Sequence, residues 1–330
     1  MTLELITYVI LLIFAVLFIF IRCPSRIQFI LYFVLTLFYS IVVRYSGFDL
    51  DINTYVRTLS FDNLFSTYYL REPIYWLSSN FIYRNIINKE ELVLVLYDVI
   101  SFLVIYKAYK NLEIPYYFIY LYIIFFPSLM GLQNVYRQYL SMCFLFLSIS
   151  YAHNGSKKSF FWWLISGLTH NVGFIFLPVL YAFKTTTYSK ALFIFSSLSI
   201  IVLLPFLSGT KSYDATGLSL GGAYVACTFV ILILTIAIHS LCKIKYKTSR
   251  YLAYEIYLFI LVLFNIFILG PSQAERIGMI TLSLSLWILV KLINENVRQD
   301  KIISFFMVFL CILPTILFSS AFKMLLTIKG

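Results

Sequence analysis

Long apolar runs separated by short polar breaks follow one another along almost the whole chain of 330 residues. Most of them approach the roughly 20 residues that a helix needs to cross the hydrocarbon core of a bilayer. This pattern predicts an all-α, polytopic membrane protein. The apolar runs cover residues 4–21, 27–43, 91–106, 114–127, 138–152, 159–182, 190–207, 222–241, 251–269, 276–293 and 302–321.

Composition supports this class and excludes others. Hydrophobic residues make up 62% of the chain, and the mean hydropathy is +0.92, whereas a soluble domain is about half apolar. The net charge is +11, but the basic residues are scattered between apolar runs, so the expected partners are membrane lipids and not nucleic acid. The five cysteines form no zinc-type pair, and we expect neither a metal nor a cofactor.

Basic residues between the runs predict the orientation of the helices, because Lys and Arg favour the cytoplasmic side in short loops. If the segment 159–182 crosses the membrane once, the basic clusters cannot all lie on the cytoplasmic side. These clusters are 22–26, 107–110, 157–158, 243–250 and 291–301. One solution is a re-entrant hairpin, in which two half-helices meet at Thr169, His170 and Asn171. This arrangement gives about ten crossings with both termini outside. The alternative is a plain crossing of 159–182, with the missing turn elsewhere.

The longest polar break, residues 44–90, is expected to lie outside and to form part of the active-site region of a single membrane domain, residues 1–330. Its segment PIYWLSSNFIYRNII has apolar residues at helical spacing and predicts an amphipathic helix at the membrane interface. Together with the next residue, Glu91, the break holds six of the fourteen acidic residues: Asp49, Asp51, Asp62, Glu72, Glu90 and Glu91.

Two groups of polar residues lie in or beside apolar runs. Burying such residues at membrane depth costs free energy, so their presence there suggests function. Arg137 and Gln138 open the fifth run, and Arg suits bidentate contacts to phosphate. The alternative for Arg137 is snorkelling to the interface, which does not explain Gln138. His170 lies inside the apolar stretch SGLTHNVGF and is a candidate general base. Its alternative is a buried histidine bonded to backbone.

The stretch RYSGFDLDINTY brings a cation and carboxylates together at the end of the second run. Arg44 is a candidate phosphate ligand, and Asp51 and Tyr55 share a face if the segment is helical. The alternatives are that Arg44 anchors the helix end and that Asp49 or Asp51 caps a turn.

Glu72 and Arg276 complete the candidates. Glu72 directly precedes Pro73, which favours a helix start and makes capping the alternative. Arg276 opens the tenth run beside Glu275 and either pairs with it or binds phosphate. The predicted topology brings the arginines, the carboxylates and His170 to one outward-facing cavity, which suits an anionic substrate bearing phosphate.

At these residues the chain resembles the EpsG-like family of polysaccharide polymerases, the Wzy-type enzymes of O-antigen, capsule and exopolysaccharide assembly. The resemblance spans about residues 40–280 and rests on the order of several short motifs. The family pattern has one aspartate where GFDLDINTY offers Asp49 and Asp51, which leaves the choice between them open. The matching residues are Arg44, Gly47, Asp49 or Asp51, Tyr55, Glu72, Pro73, Tyr75, Arg137, Gln138, His170 and Arg276.

The resemblance implies a multi-pass protein of the bacterial inner membrane with an active site facing the periplasm or exterior. It implies transfer of a growing glycan from undecaprenyl diphosphate to a hydroxyl of a new lipid-linked repeat unit, with a chain-length regulator protein as a partner. His170 is then the first choice of base, followed by Asp51 and Glu72. The residues assigned to diphosphate or sugar are Arg44, Asp49, Tyr55, Arg137, Gln138 and Arg276.

Two other functions fit parts of the pattern. A flippase for lipid-linked oligosaccharides would also need arginines for diphosphate, but in a central cavity and usually with repeated helices. Another membrane glycosyltransferase or an O-antigen ligase would differ only in its acceptor, which the sequence does not specify.

Overall fold

A computed structural model describes residues 2–48, 51–183, 186–207, 221–241, 249–269, 271–297, 301–317 and 325–326. Within these residues the chain is helical and contains no strand, as the apolar pattern predicts. A 3-10 helix, Asn171–Phe176, lies between α10 and α11. The α-helices are α1 Leu3–Phe20, α2 Ser25–Tyr45, α3 Asp51–Leu59, α4 Thr67–Leu70, α5 Pro73–Asn85, α6 Glu90–Leu112, α7 Tyr116–Ile124, α8 Phe126–Gln133, α9 Tyr136–His153, α10 Lys158–Thr169, α11 Val179–Ala182, α12 Thr187–Leu207, α13 Gly221–Leu241, α14 Ser249–Leu269, α15 Pro271–Asn296 and α16 Lys301–Leu317.

Six of the described helices are long and apolar enough to cross a membrane: α1, α2, α6, α13, α14 and α15. The number becomes seven if α7 and α8 form one broken span. The apolar stretches Thr187–Leu203 of α12 and Lys301–Leu317 of α16 are shorter than the 18 residues taken as the minimum for a span. The prediction of a polytopic helical membrane protein is therefore confirmed, whereas the count of ten crossings stays a prediction.

The fourth apolar run is not one straight helix. α7 ends at Ile124, Phe125 is extended, and α8 continues at an angle of 54°. Pro127 lies in the first turn of α8, where its missing N–H costs no helical hydrogen bond. The same proline could not continue α7, because its ring would clash with the preceding turn.

The outer segment predicted to carry structure of its own contains α3, α4 and α5. α5 begins at Pro73 and is the helix predicted from PIYWLSSNFIYRNII. Its residues Tyr75, Trp76 and Ser79 are buried, and it packs against α3, α4 and α6. Its position at a membrane interface stays a prediction.

The segment 159–182 breaks where the sequence predicts. α10 ends at Thr169, His170 lies in neither helix, and the 3-10 helix begins at Asn171. The chain then turns back along α10, because the ring of Trp163 lies 5.4 Å from that of Phe174, and the ring of Phe160 lies 5.7 Å from that of Tyr181. Re-entry of this hairpin into one face of a membrane stays a prediction.

The chain divides into two compact units. The first comprises Met1–Phe144, Ile165–Asn171 and Gln299–Gly330. Within it, α1 packs against α2, α7 and α16, and α2 packs against α6. Whether both units form one membrane domain, as predicted, stays open to experiment.

The second unit comprises Leu145–Leu164 and Val172–Arg298. Its helices α13, α14 and α15 pack against one another, and α11 and α12 contact α14. A Cβ atom added at Gly278 of α15 would lie 2.7 Å from the Cβ of Tyr224 in α13. The two helices thus approach closely because this position has no side chain.

Candidate functional site

The carboxylate of Glu72 joins three separate segments of the first unit. Glu72 precedes α5 as its N-cap residue, yet its side chain makes no capping hydrogen bond there. Its Oε2 pairs with Nη1 of Arg137 at the start of α9. Its Oε1 lies 3.0 Å from Nδ1 of His170 and accepts a hydrogen bond from the backbone N–H of Asn171 at 3.2 Å. The structure therefore brings together three residues that the sequence analysis selected.

The three side chains of this Glu72 cluster, Glu72, Arg137 and His170, are largely withdrawn from water. Their exposed fractions are 7%, 13% and 12%, respectively. Burial by itself raises the pKa of Glu72, but the hydrogen bond and charge of His170, the charge of Arg137 and the Asn171 N–H lower it to about 2. Glu72 is accordingly an anion at neutral pH and a weak base.

Aromatic rings enclose the guanidinium of Arg137. Its Cζ lies 4.4 Å from the ring centre of Trp76 and 5.2 Å from that of Tyr55. Cation–π contacts and the ion pair with Glu72 together fix the guanidinium plane. Simple snorkelling predicts neither the burial nor these partners.

The contact with Glu72 favours one tautomer of His170. An ionised carboxylate only accepts hydrogen bonds, so the 3.0 Å distance between Oε1 of Glu72 and Nδ1 of His170 favours a proton on Nδ1. In the neutral ring the lone pair then belongs to Nε2. A carboxylate that orients a histidine in this way is a common arrangement for general base catalysis.

Arg44 is buried and forms an ion pair with Asp98. Its exposed fraction is 2%, and its Nε and Nη2 donate to Oδ2 and Oδ1 of Asp98, each at 2.8 Å. Asp98 also accepts hydrogen bonds from Ser40 and from the hydroxyl of Tyr136, both at 2.6 Å. These contacts favour the alternative that Arg44 anchors the helix end, and its assignment to diphosphate stays a prediction.

The Arg44–Asp98 pair instead supports the Glu72 cluster. Arg44 lies 4.5 Å above the ring of Tyr136, and Tyr136 directly precedes Arg137. The pair therefore fixes the first turn of α9, from which Arg137 projects. Asp98 was not predicted as a functional residue, although an acid in the middle of the apolar run 91–106 was a signal for it.

The other predicted residues lie in different surroundings. Asp51 is exposed at the start of α3, and its backbone N–H contacts the side chain of Asn134. Asp51 is not among the described contacts of Glu72, and Asp49 lies outside the described residues. Gln138 is buried next to Arg137. Arg276 is exposed on α15 in the second unit.

Comparison with known proteins identifies the family. The model of the EpsG family matches residues 27–326, which include every helix that contributes to the Glu72 cluster. No curated protein and no solved structure matches the chain significantly. The match covers most of the chain and agrees with its helical membrane architecture. The protein belongs to the EpsG family, a family of polysaccharide polymerase-like membrane proteins.

Proposed function

We propose that the protein is a membrane glycosyltransferase that polymerises lipid-linked oligosaccharide repeat units at the outer face of the bacterial inner membrane. A hydroxyl oxygen of the acceptor repeat unit attacks the anomeric carbon of the growing glycan. The bond between that carbon and the diphosphate oxygen breaks, and undecaprenyl diphosphate leaves with the electron pair. The hydroxyl proton passes to the base, and a new glycosidic bond results.

The observation that carries this proposal is the Glu72 cluster, in which a cation, an anion and an oriented imidazole meet in one partly enclosed place. Transfer from a diphosphate requires positive charge near the leaving group and a base near the acceptor hydroxyl. Arg137 and His170 are residue types that supply these two functions, and Glu72 bridges them.

The geometry suggests a role for each member. His170 accepts the acceptor proton at Nε2, because Nδ1 faces Glu72. Glu72 orients the ring and is a poor base itself, since its pKa is about 2. Arg137 uses Nη1 for Glu72, and the guanidinium has further N–H donors that suit a phosphate oxygen. Gln138 and Arg276 remain proposed contacts for diphosphate or sugar, and Asp51 remains an alternative base.

The proposed sidedness follows from the charge pattern. The basic clusters between the apolar runs favour the cytoplasm, which leaves α3–α5 and the turn at His170 outside. A membrane-embedded break in a helix is tolerated where protein or a wet cavity covers it. The contact of Glu72 with the Asn171 N–H supplies such a partner for the broken backbone.

The test is the glycan ladder of a deletion strain that carries single variants. Arg137→Ala and His170→Ala should remove long chains while the protein still inserts into the membrane, with a rate loss of about 10²–10⁴-fold for the base. Matched controls are Arg57→Ala, an exposed arginine of α3, and His239→Ala in the second unit. Both controls should retain normal ladders.

Normal ladders in both site variants would refute the proposal. If lipid A of the deletion strain carries a single repeat unit, the result supports a polymerase. If lipid A carries no repeat unit, the result supports a ligase or a flippase. Lipid-linked repeat units that remain on the cytoplasmic side of the deletion strain would identify a flippase.

A further inference from the structure

A cluster of aromatic rings extends outward from the site of Arg137. The ring centre of Trp76, which lies against the guanidinium, is 5.2 Å from that of Tyr69 and 6.2 Å from that of Tyr68. Tyr68 and Tyr69 lie 5.1 Å apart at 82°, and Phe61 lies 6.4 Å from Tyr69. The buried end of this cluster contacts the proposed catalytic cation, and the other end reaches the protein surface.

The outer rings are exposed and yet held in place. Helix α4, which carries Tyr68 and Tyr69, has no buried residue, and 45% of Tyr68 is exposed. The neighbouring backbone is fixed from α5, because Asn80 donates to the carbonyls of Leu59 and Phe61 at 2.8 and 2.9 Å. Rigid, exposed aromatic surface of this kind marks an interaction site.

The charges around these rings indicate that they face water. Asp62 lies beside Phe61 with 93% of its side chain exposed, and it pairs at 3.0 Å with Arg84. A carboxylate in such a position does not fit a surface sunk in the bilayer, where a charge is costly. A tyrosine exposed to water offers an apolar ring face and a polar hydroxyl. A pyranose ring matches it, because the sugar has C–H groups that pack on the ring face and hydroxyl groups that form hydrogen bonds.

We infer that Tyr68, supported by Tyr69 and Phe61, is a stacking subsite for sugar rings of the lipid-linked glycan. This inference rests on the proposed function, in which Arg137 contacts the diphosphate. The ring of Tyr68 lies 6.2 Å from that of Trp76, which lies 4.4 Å from the guanidinium of Arg137, so a glycan with its phosphate at Arg137 has its adjoining sugars within reach of the Tyr68 ring. The subsite would thereby select for the glycan and not for the lipid.

The test uses the full-length protein in detergent and the oligosaccharide repeat unit released from its lipid carrier by mild acid. Tyr68→Ala should weaken binding of this oligosaccharide and raise the KM for the lipid-linked repeat unit by about threefold to tenfold, with little change in kcat. Tyr68→Phe keeps the ring and should bind nearly as wild type does. Phe65→Ala is the matched control, since Phe65 lies on the same loop and is 77% exposed.

The outcomes separate this inference from the proposed function. Binding that is lost in Tyr68→Ala but kept in Arg137→Ala supports the subsite, even if polymerisation is absent and the proposed function fails. Unchanged binding and KM in Tyr68→Ala, measured on a protein that polymerises, overturns the subsite alone. Equal losses in Tyr68→Ala and Phe65→Ala would show that the loss is not specific to stacking on Tyr68 and would also overturn the subsite.

Discussion

The buried pair Arg44–Asp98 permits a quantitative prediction about stability. Asp98→Asn keeps the size of the side chain but removes its charge, so the guanidinium of Arg44 loses its counter-ion in a site that is 2% exposed. The carboxylate accepts four hydrogen bonds, two from Arg44 and one each from Ser40 and Tyr136. Breaking one partner of a buried ion pair costs about 3–5 kcal/mol, and we expect a loss of that size in the free energy of unfolding.

The measurement is reversible unfolding in mixed detergent micelles, followed by fluorescence. Asp62→Asn provides the matched control, because it breaks the exposed pair with Arg84 and should cost less than about 1 kcal/mol. Arg44→Met combined with Asp98→Val should recover at least half of the loss, since it removes both charges. A double variant no more stable than Asp98→Asn, or an Asp98→Asn protein as stable as the control, would refute this reasoning.

Two other predictions concern the site and the packing. The pKa of Glu72 in the folded protein, about 2, lies below its ordinary value of about 4.3. Ionised Glu72 therefore adds roughly 3 kcal/mol to the free energy of unfolding. This stabilisation is fully present above pH ~5 and is lost as the pH falls to about 2. The difference in unfolding free energy between wild type and Glu72→Gln should therefore shrink over that range, and a constant difference would contradict it. Gly278→Ala should destabilise the second unit by about 1–3 kcal/mol, because the new Cβ meets Tyr224. The control is Gly222→Ala in α13, where a new Cβ meets nothing within 4 Å and should leave stability nearly unchanged. Equal shifts of the two variants in thermal unfolding would argue against the close contact between Gly278 and Tyr224.

The features that sequence predicted well are those that depend on local chemistry. Apolar runs of membrane length predict the helices, and Pro73 marks the start of α5. The break at His170 follows from polar residues inside an apolar run, since two flanking polar groups disfavour an uninterrupted span. Glu72, Arg137 and His170 were selected individually as costly or oddly placed polar groups, and the structure brings them into contact.

The features that sequence did not predict depend on partners far along the chain. Arg44 was considered together with the nearby carboxylates of RYSGFDLDINTY, whereas its ion-pair partner in the structure, Asp98, is 54 residues away. Likewise, the contact between Glu72 and the Asn171 backbone spans 99 residues. The aromatic cluster around Trp76 was also not predicted, because aromatic residues are so frequent here that no single ring stands out.

Under the proposed function, the first turn of α5 would couple two events, the seating of the glycan and the orientation of the base. Glu72, at the start of this turn, holds the imidazole of His170, while Trp76, at its end, lies between Arg137 and the exposed tyrosines. Because both residues belong to one short rigid element, a glycan that seats poorly on the rings would tilt α5 and thereby misalign the base. Under the proposed function, substrate selection would then act on the rate of proton transfer as well as on affinity, so that an incorrect repeat unit could be rejected after it has bound.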